Sequence, residues 1–308
     1  IAAALMLIFS ATLACAQSIV TDALQWFPPD TLAVEYSNPS TLRGLPAYQA
    51  LRAHYLGRDL QELERSLARL GIHETDIDEL VLGWQAKAGS SFQYEGLASG
   101  SLDPQAIAQS AAASGITPTT VQGEKAYCFA ASHASTCVAI LPGEIGAFGP
   151  LPLLAAMLRA RNGQGPSVAS DTRFTQLVDG AKSDAPIWGV AKGVAVAKWF
   201  DAWMPSEKNL KMNWSSAFQD VRALSYQVQT GSDVDLSVKL ECTGAQAAAS
   251  LRQLMEGLKL IQQLAWRTTN PSQPNPFANL DVESAENQVS FKLTADYAAL
   301  ERLGPLGH

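Results

Sequence analysis

Glycine, serine and lysine do not occur here in the spacing that nucleotide binding or nucleophilic catalysis requires. The chain has no Gly-Lys-Ser or Gly-Lys-Thr step, so it lacks a P-loop. Gly143, Gly146 and Gly149 recur at every third residue, which predicts turn glycines and not a dinucleotide-binding fingerprint. The segment 89–91 comes nearest to a G-x-S-x-G nucleophile motif, but Gln93 stands where the second glycine would be. We therefore expect no cofactor and identify no catalytic residue.

Metal-binding patterns are equally weak. The histidines are His54, His73, His133 and His308. None of them has a second histidine four residues away, so the usual helical zinc pair is missing. The segment HETDIDEL alternates acidic residues as a calcium loop does, but Glu79 replaces the glycine that such a loop needs. Thr75 and Asp78 favour a helix-capping box there instead, and we expect no metal site.

The segment GVAVAKWFDAWMP contains an unusual group of aromatic side chains. It predicts a helix that ends at Pro205 and places Trp199 and Trp203, four residues apart, on one face beside Phe200. Aromatic residues at helical spacing are typical of a core, whereas tryptophan is also enriched where partners bind. Both interpretations stay open, and we take Trp199, Phe200 and Trp203 as candidate partner-binding residues.

The cysteines favour an oxidising compartment. Cys128 and Cys137 flank a predicted hairpin in AYCFAASHASTCVAI, where opposed positions bring side chains close to disulfide reach. We expect a Cys128–Cys137 disulfide, with two buried thiols as the alternative. Cys242 is then unpaired, and we expect it to pack in a core.

The beginning of the chain predicts where the protein is located. An apolar run over residues 1–13 leads into Ala14, Cys15 and Ala16, a small-x-small pattern typical of signal peptidase cleavage. We expect a signal peptide over residues 1–16 and an exported protein, periplasmic or extracellular, that begins at Gln17. The alternatives are a lipid attached at Cys15 or a retained anchor, and we expect membrane attachment only by those routes.

Charge excludes one class of partner. The formal net charge is −7 and the pI is near 5.1, so clustered cations for phosphate backbones are lacking. We therefore expect no nucleic-acid partner.

The elements predict an α+β protein built from two similar halves. Strand-like runs follow Glu79, a helix begins at Asp103-Pro104, and two further strand-like runs, TPTTVQGEKAYCF and STCVAILPGEIGAFG, lead to a helix. The same order returns after Asp220 with a hairpin, a long helix, two strands and a terminal helix. We predict two ββαββα halves with antiparallel sheets packed by helices, over residues 17–160 and 161–308, from an internal duplication.

Three segments carry a family resemblance. The opening FPPDTLAVEYSNPSTLRGLPAYQALR, the strand with G-x-K-A-Y at Gly123–Tyr127, and the hairpin DVRALSYQVQTGSDVDLSVKLECTG resemble a group of secreted bacterial proteins of unknown function, typical of soil bacteria. The resemblance spans most of the mature chain and rests on patterning. It implies export and carries over no catalytic residue.

These observations predict a non-catalytic envelope or periplasmic protein that binds a protein, peptide or lipid. One alternative is a secreted hydrolase whose active-site residues come together only in the fold. Another is a structural subunit of an envelope assembly.

Overall fold

The computed structural model describes residues 16–45, 47–56, 58–87, 92–129, 135–203, 214–269, 275 and 278–302. Helices and antiparallel strands are both abundant in these ranges, which confirms the α+β class. The chain forms two compact units. The first contains the described residues of Ile1–Thr41, Arg58–Gln85 and Phe92–Thr175, and the second those of Leu42–Gly57, Ala86–Ser91 and Gln176–His308. The change of unit at Thr175/Gln176 lies beyond the predicted boundary at 160/161.

The elements alternate in type along the chain. Between residues 16 and 161 the elements are α1 (Ala16–Trp26), β1 (Ala33–Ser37), α2 (Pro39–Leu42), α3 (Tyr48–Tyr55), α4 (Arg58–Ala68), β2 (Ile77–Ala86), β3 (Phe92–Gly100), α5 (Pro104–Ala113), β4 (Thr119–Val121), β5 (Glu124–Phe129), β6 (Thr136–Leu141), β7 (Ile145–Pro150) and α6 (Leu151–Arg161). After these come α7 (Thr172–Ala181), β8 (Ile187–Lys192), α8 (Gly193–Trp203), α9 (Trp214–Ala217), β9 (Val221–Thr230), β10 (Val234–Cys242), α10 (Ala245–Thr269), β11 (Asp281–Ala285), β12 (Gln288–Ala295) and α11 (Tyr297–Arg302).

The strands of the first unit follow the order β1-β2-β3-β7-β6-β5-β4. One face of this sheet supports a hydrophobic core in which α4 and α5 pack on apolar side chains from β2, β3, β5, β6 and β7. Leu82 of β2, Ala98 of β3 and Phe148 of β7 belong to this core, together with Leu63 of α4 and Ile107 of α5. Because successive strand residues point to opposite faces, Gly83 and Glu95 face the other side.

Two helices lie on that other side. α1 contacts α6 and β3, and α6 contacts β6 and β7. Ile19, Ala23 and Phe27 at the α1 end and Leu154 and Leu158 of α6 are almost fully buried. The first unit therefore has helices on both faces of its sheet, which leaves little water-accessible space next to the strands.

The strands of the second unit follow the order β8-β9-β10-β12-β11, and each neighbouring pair is antiparallel. α8 packs against β8 and β9, and α10 packs against β10, β11 and β12. The long hairpin β9–β10 confirms the alternating pattern seen around Gly231.

The two units share an order of elements. In each, a helix and a strand precede further helices, a hairpin and a helix. One more hairpin in the second unit, and two more in the first, then lead to a final helix. The corresponding strands also pair in the same order, β1-β2-β3-β7-β6 and β8-β9-β10-β12-β11. This correspondence is what an internal duplication would produce.

The first half differs from the predicted ββαββα order. Each of the two strand-like runs is itself a hairpin, so four strands, β4 to β7, stand between α5 and α6. Gln122 and Gly123 have φ values of 52° and 88°, and Gly143 and Glu144 have 85° and 59°. Consecutive residues in the left-handed region reverse the chain tightly, and Gly123 and Pro142-Gly143 were the turn signals for these hairpins in the sequence.

Two predicted helix starts have opposite outcomes. The Asp103 carboxylate accepts a hydrogen bond from the Gln105 amide at 2.8 Å, with Pro104 at the first helical position, which confirms the predicted cap. The capping box expected at Thr75 and Asp78 is wrong. The Asp76 carboxylate instead accepts from the His73 amide at 2.7 Å, around the short 3-10 turn Glu74–Asp76, because β2 already begins at Ile77.

None of the helices in the described ranges combines the length and the apolar character that crossing a bilayer needs.

Candidate functional site

The predicted aromatic residues belong to a helix, as expected. α8 extends over Gly193–Trp203. The side chains of Trp199, Phe200 and Trp203 lie outside the described part of the structure, so their role as partner-binding residues stays a prediction.

The expected disulfide is present. Cys128 of β5 and Cys137 of β6 are directly opposed in the antiparallel register, and their sulfur atoms are bonded. Cys137 is buried and Cys128 is exposed, so the bond joins the sheet interior to its surface. This cross-link closes a short loop and requires an oxidising environment to persist.

Apolar side chains are exposed on the second half of α10. Leu260, Ile261 and Leu264 are 61%, 45% and 63% exposed. Because α10 has 25 residues, its length is about 38 Å, against about 30 Å for the nine-residue strand β10. Leu251 in the first half of the helix is buried, whereas Ile261 in the second half is not.

The exposed side chains form a stripe. Leu254, Gly257, Leu260, Ile261 and Leu264 fall within one arc of about 120° on a helix with 3.6 residues per turn, and we call them the α10 stripe. A Cβ atom built on Gly257 would have no heavy-atom neighbour within 4 Å in the described chain. Glycine lowers helix stability by about 1 kcal/mol relative to alanine, and no internal contact explains its presence here.

A pocket continues the α10 stripe toward the start of the helix. Its volume is about 560 Å³, and its walls include Ala247, Leu251 and Leu254 of α10, Val221 of β9 and Cys242 of β10. Ala247, Leu254 and Ile261 are spaced by seven residues and so share one helix face. Pocket and stripe together extend over about 26 Å of α10.

The cysteine in the pocket wall is not activated as a nucleophile. The Cys242 thiol is buried, and burial together with the charges of Asp220 and Glu241 raises its pKa above the ordinary value. Asp220 accepts a hydrogen bond from the Thr243 hydroxyl at 3.3 Å and forms the polar edge of the pocket. A thiol held in its neutral form suits packing and not catalysis, which agrees with the expected core role of Cys242.

Polar and charged side chains accompany the α10 stripe. Arg252 and Glu256 form an ion pair at 2.9 Å, and the Lys259 ammonium donates to the Leu280 carbonyl. Gln253, Gln262 and Arg267 are exposed. An apolar centre with a polar border is the usual composition of a protein-binding surface.

Glu95 is the most unusual titratable residue in the described chain. Its side chain is fully buried beneath the α1 end of the first unit. Oε1 lies 2.8 Å from the Thr31 hydroxyl and 3.2 Å from the Gln85 amide nitrogen, whereas Oε2 has no hydrogen-bond partner among the described residues. Burial raises the pKa of Glu95 to about 7, against the lowering effect of the two hydrogen bonds.

A second buried polar group lies on β1 and β2. The Tyr36 hydroxyl donates to Glu79 at 2.7 Å, and the Ser99 hydroxyl donates to the other Glu79 oxygen at 3.4 Å. Burial and the neighbouring Glu79 carboxylate raise the Tyr36 pKa far above its ordinary value. The tyrosine therefore stays a neutral hydrogen-bond donor that ties two strands together.

The acidic residues do not converge on a metal site. Glu74 and Asp76 lie in the 3-10 turn and Asp78 in β2. No group of three or more potential metal-binding side chains occurs in the ranges that the structure describes. His73 precedes that turn, and His133 and His308 lie outside the described residues, as does the side chain of His54.

Sequence reasoning did not identify the α10 stripe or Glu95. The adjacent apolar pair Leu260-Ile261 with Leu264 widens the apolar face beyond what one packed helix needs, and this excess was the available signal. Glu95 lies in the strand segment YEGL, where nothing in the residue types distinguishes a buried from an exposed carboxylate.

Comparison with known proteins gives one structural likeness. No protein-family model matches the chain, and no curated protein matches it. The crystal form III structure of TP0453 is 13% identical over 91% of this chain and 95% of that chain, with a TM-score of 0.49.

Proposed function

We propose that this chain is an exported, non-catalytic protein that binds a partner protein through the α10 stripe. The observation that carries the proposal is the exposure of Leu260, Ile261 and Leu264 on one stretch of helix. Contiguous apolar surface rimmed by polar residues is uncommon on proteins that act alone and marks interaction sites. A partner segment that lies along α10 would cover the stripe and reach the pocket beside Val221.

A protein partner fits the stripe better than a lipid surface. Helices that lie on membranes carry Lys and Arg along their polar face. On α10, Arg252 is paired with Glu256 and Lys259 is engaged with the Leu280 carbonyl, whereas Arg267 is exposed, so the helix has no row of exposed cations along its polar face. The net charge of −7 further opposes attraction to anionic lipids. Glutamine side chains can hydrogen-bond a partner's backbone, and Gly257 allows that backbone to approach closely.

Export is supported by two independent features. The first is the small-x-small pattern at Ala14–Ala16, which predicts cleavage of a leader. The second is the Cys128–Cys137 disulfide, since such bonds persist outside the reducing cytosol.

The test compares three forms of the mature protein as bait in a native envelope extract: wild type, Leu260→Ser/Leu264→Ser, and Val194→Ser. Val194 of α8 is 55% exposed and serves as the matched control because it is an exposed apolar residue away from α10. We expect wild type and Val194→Ser to retain the same protein, and the double variant to lose it. Equal capture by all three forms, or retention on phospholipid vesicles alone, would contradict the proposal.

A further inference from the structure

The hydroxyl of Thr31 has one proton and two short oxygen contacts. Thr31 Oγ1 lies 2.7 Å from the Pro28 carbonyl oxygen and 2.8 Å from Glu95 Oε1. The Pro28 carbonyl can only accept a hydrogen bond, and so can an ionised Glu95. With an ionised carboxylate, one of the two contacts would therefore bring two oxygen atoms together without a proton between them.

A protonated Glu95 satisfies both contacts. Oε1–H donates to Thr31 Oγ1, and the hydroxyl passes its own proton to the Pro28 carbonyl. The Gln85 amide still donates to the free lone pair of Oε1, 3.2 Å away. The remaining oxygen, Oε2, has no partner in the described chain. An unpartnered buried carbonyl oxygen of a neutral carboxyl costs far less free energy than an unpartnered oxygen that shares the negative charge of a carboxylate.

Among the described residues no cation compensates a charge on Glu95. A Cβ on Gly83 would lie 2.8 Å from Glu95 Oε1 and 2.7 Å from the Phe27 ring, so ring and carboxyl both lie against β2. A Cβ on Gly149 of β7 would lie 3.3 Å from the Glu95 Cα, so β7 passes close to Glu95 as well.

The charged groups on the helices of this side act elsewhere. Asp22 of α1 interacts with Arg161 of α6, and Arg161 in turn pairs with Glu124 at 2.9 Å. Burial, Thr31 and Gln85 account for the shift of the Glu95 pKa, with no contribution from any of these charges. The protonation of Glu95 is therefore set by its access to water.

We propose that Glu95 is a proton-dependent latch that holds the connection between α1 and β1, residues 27–32, on the sheet of the first unit. The protonated carboxyl fixes the turn in which the Thr31 amide donates to the Pro28 carbonyl at 3.1 Å. That turn positions Phe27, whose carbonyl accepts from the Val168 amide, and Leu32, whose amide donates to Trp84. Loss of the proton leaves a buried charge that reaches water only when the connection opens. This latch is independent of the α10 stripe.

The direction of the pH effect follows from the raised pKa. The closed form binds the Glu95 proton more tightly than the open form, in which the carboxyl has its ordinary pKa of 4.5. The Glu95 proton therefore stabilises the closed form fully below pH 4.5. This stabilisation is lost as the pH rises toward about 7, and the equilibrium between the closed and open forms changes little above that pH. The difference between the Glu95 pKa values of the open and closed forms predicts that the equilibrium constant for opening increases about 40-fold from pH 5 to pH 7 and about twofold more by pH 8.

The experiment is amide hydrogen exchange at Leu32 and Val168 between pH 5 and pH 8 in wild type and Glu95→Gln. Dividing the two rates at each pH removes the intrinsic pH dependence of exchange. We expect the ratio to rise about 40-fold up to pH 7 and then to flatten. Glu79→Gln is the matched control, since Glu79 also accepts from a hydroxyl on a neighbouring strand, and it should behave as wild type. A ratio that stays constant with pH would overturn the latch.

A second variant covers the case in which Glu95→Gln does not fold. Thr31→Val removes the hydroxyl that accepts a hydrogen bond from the protonated Glu95 carboxyl. Because the neutral carboxyl loses this bond, the pH at which opening levels off should move downward relative to wild type. An unchanged profile in Thr31→Val would contradict the role of the Thr31–Glu95 contact.

Discussion

Replacing Leu260 and Leu264 with serine should weaken partner binding without unfolding the second unit. Both side chains are mostly exposed, so the fold already holds them with only part of their surface in contact. Surface substitutions of this kind usually change stability by less than about 0.5 kcal/mol. The double variant should therefore melt close to wild type.

The magnitude of the binding loss follows from the exposed fractions. Full burial of a leucine side chain contributes about 1.5 to 3 kcal/mol. With 61% and 63% of the two side chains exposed, a partner that covers them gains about 1 to 2 kcal/mol from each. The double variant should lose about 2 to 4 kcal/mol, which is a factor of roughly 30 to 800 in Kd.

The assay is titration of the captured partner against the three forms by calorimetry or surface-immobilised binding. Val194→Ser should bind like wild type, because Val194 is exposed to a similar extent but lies on α8. Partner burial would also give a negative heat-capacity change that shrinks in the double variant. A Kd that changes less than about threefold in Leu260→Ser/Leu264→Ser would refute the assignment of the stripe as the binding surface.

Three further substitutions test the energetics of the fold. Removing the disulfide with Cys128→Ala/Cys137→Ala should lower the free energy of unfolding, measured in urea, by about 3 kcal/mol. The bond closes a loop with a sequence separation of 9 and so reduces the conformational entropy of the unfolded chain. A loss under about 1 kcal/mol would contradict this entropic argument. Gly257→Ala should raise the stability of α10 by about 1 kcal/mol, and destabilisation would mean that the helix face is occupied within the chain. Gly96→Ala should destabilise the first unit by about 1 to 3 kcal/mol, since the new Cβ would lie 2.1 Å from the Phe148 ring; an unchanged melting temperature would show that the ring moves away freely.

Local chemistry made part of the fold predictable. The cap at Asp103-Pro104 depends on neighbouring residues alone, and the structure has it as expected. The Cys128–Cys137 pairing follows from a hairpin whose two strands are adjacent in sequence. The hairpins within the two runs before α6 were missed although Gly123 and Pro142-Gly143 are turn residues, because each run was assigned as one strand.

The candidate site depended on distant parts of the chain. Leu251 and Ile261 are both apolar residues of α10, yet one is buried and the other exposed. Periodicity within the helix does not show which part of its apolar surface other elements cover.

The sequence by itself determined the presence of both helices and strands, the cap at Asp103, the disulfide partners and the acidic charge, since each depends on residue types and short spacings. Tertiary structure decided the environment of Glu95. Its strand neighbours are Tyr94 and Gly96, but the raised pKa comes from burial against groups of other elements, among them Phe27 and Gly83. Burial is a property of everything packed around a residue, and the free energy of a charge depends on that burial more than on the residue itself.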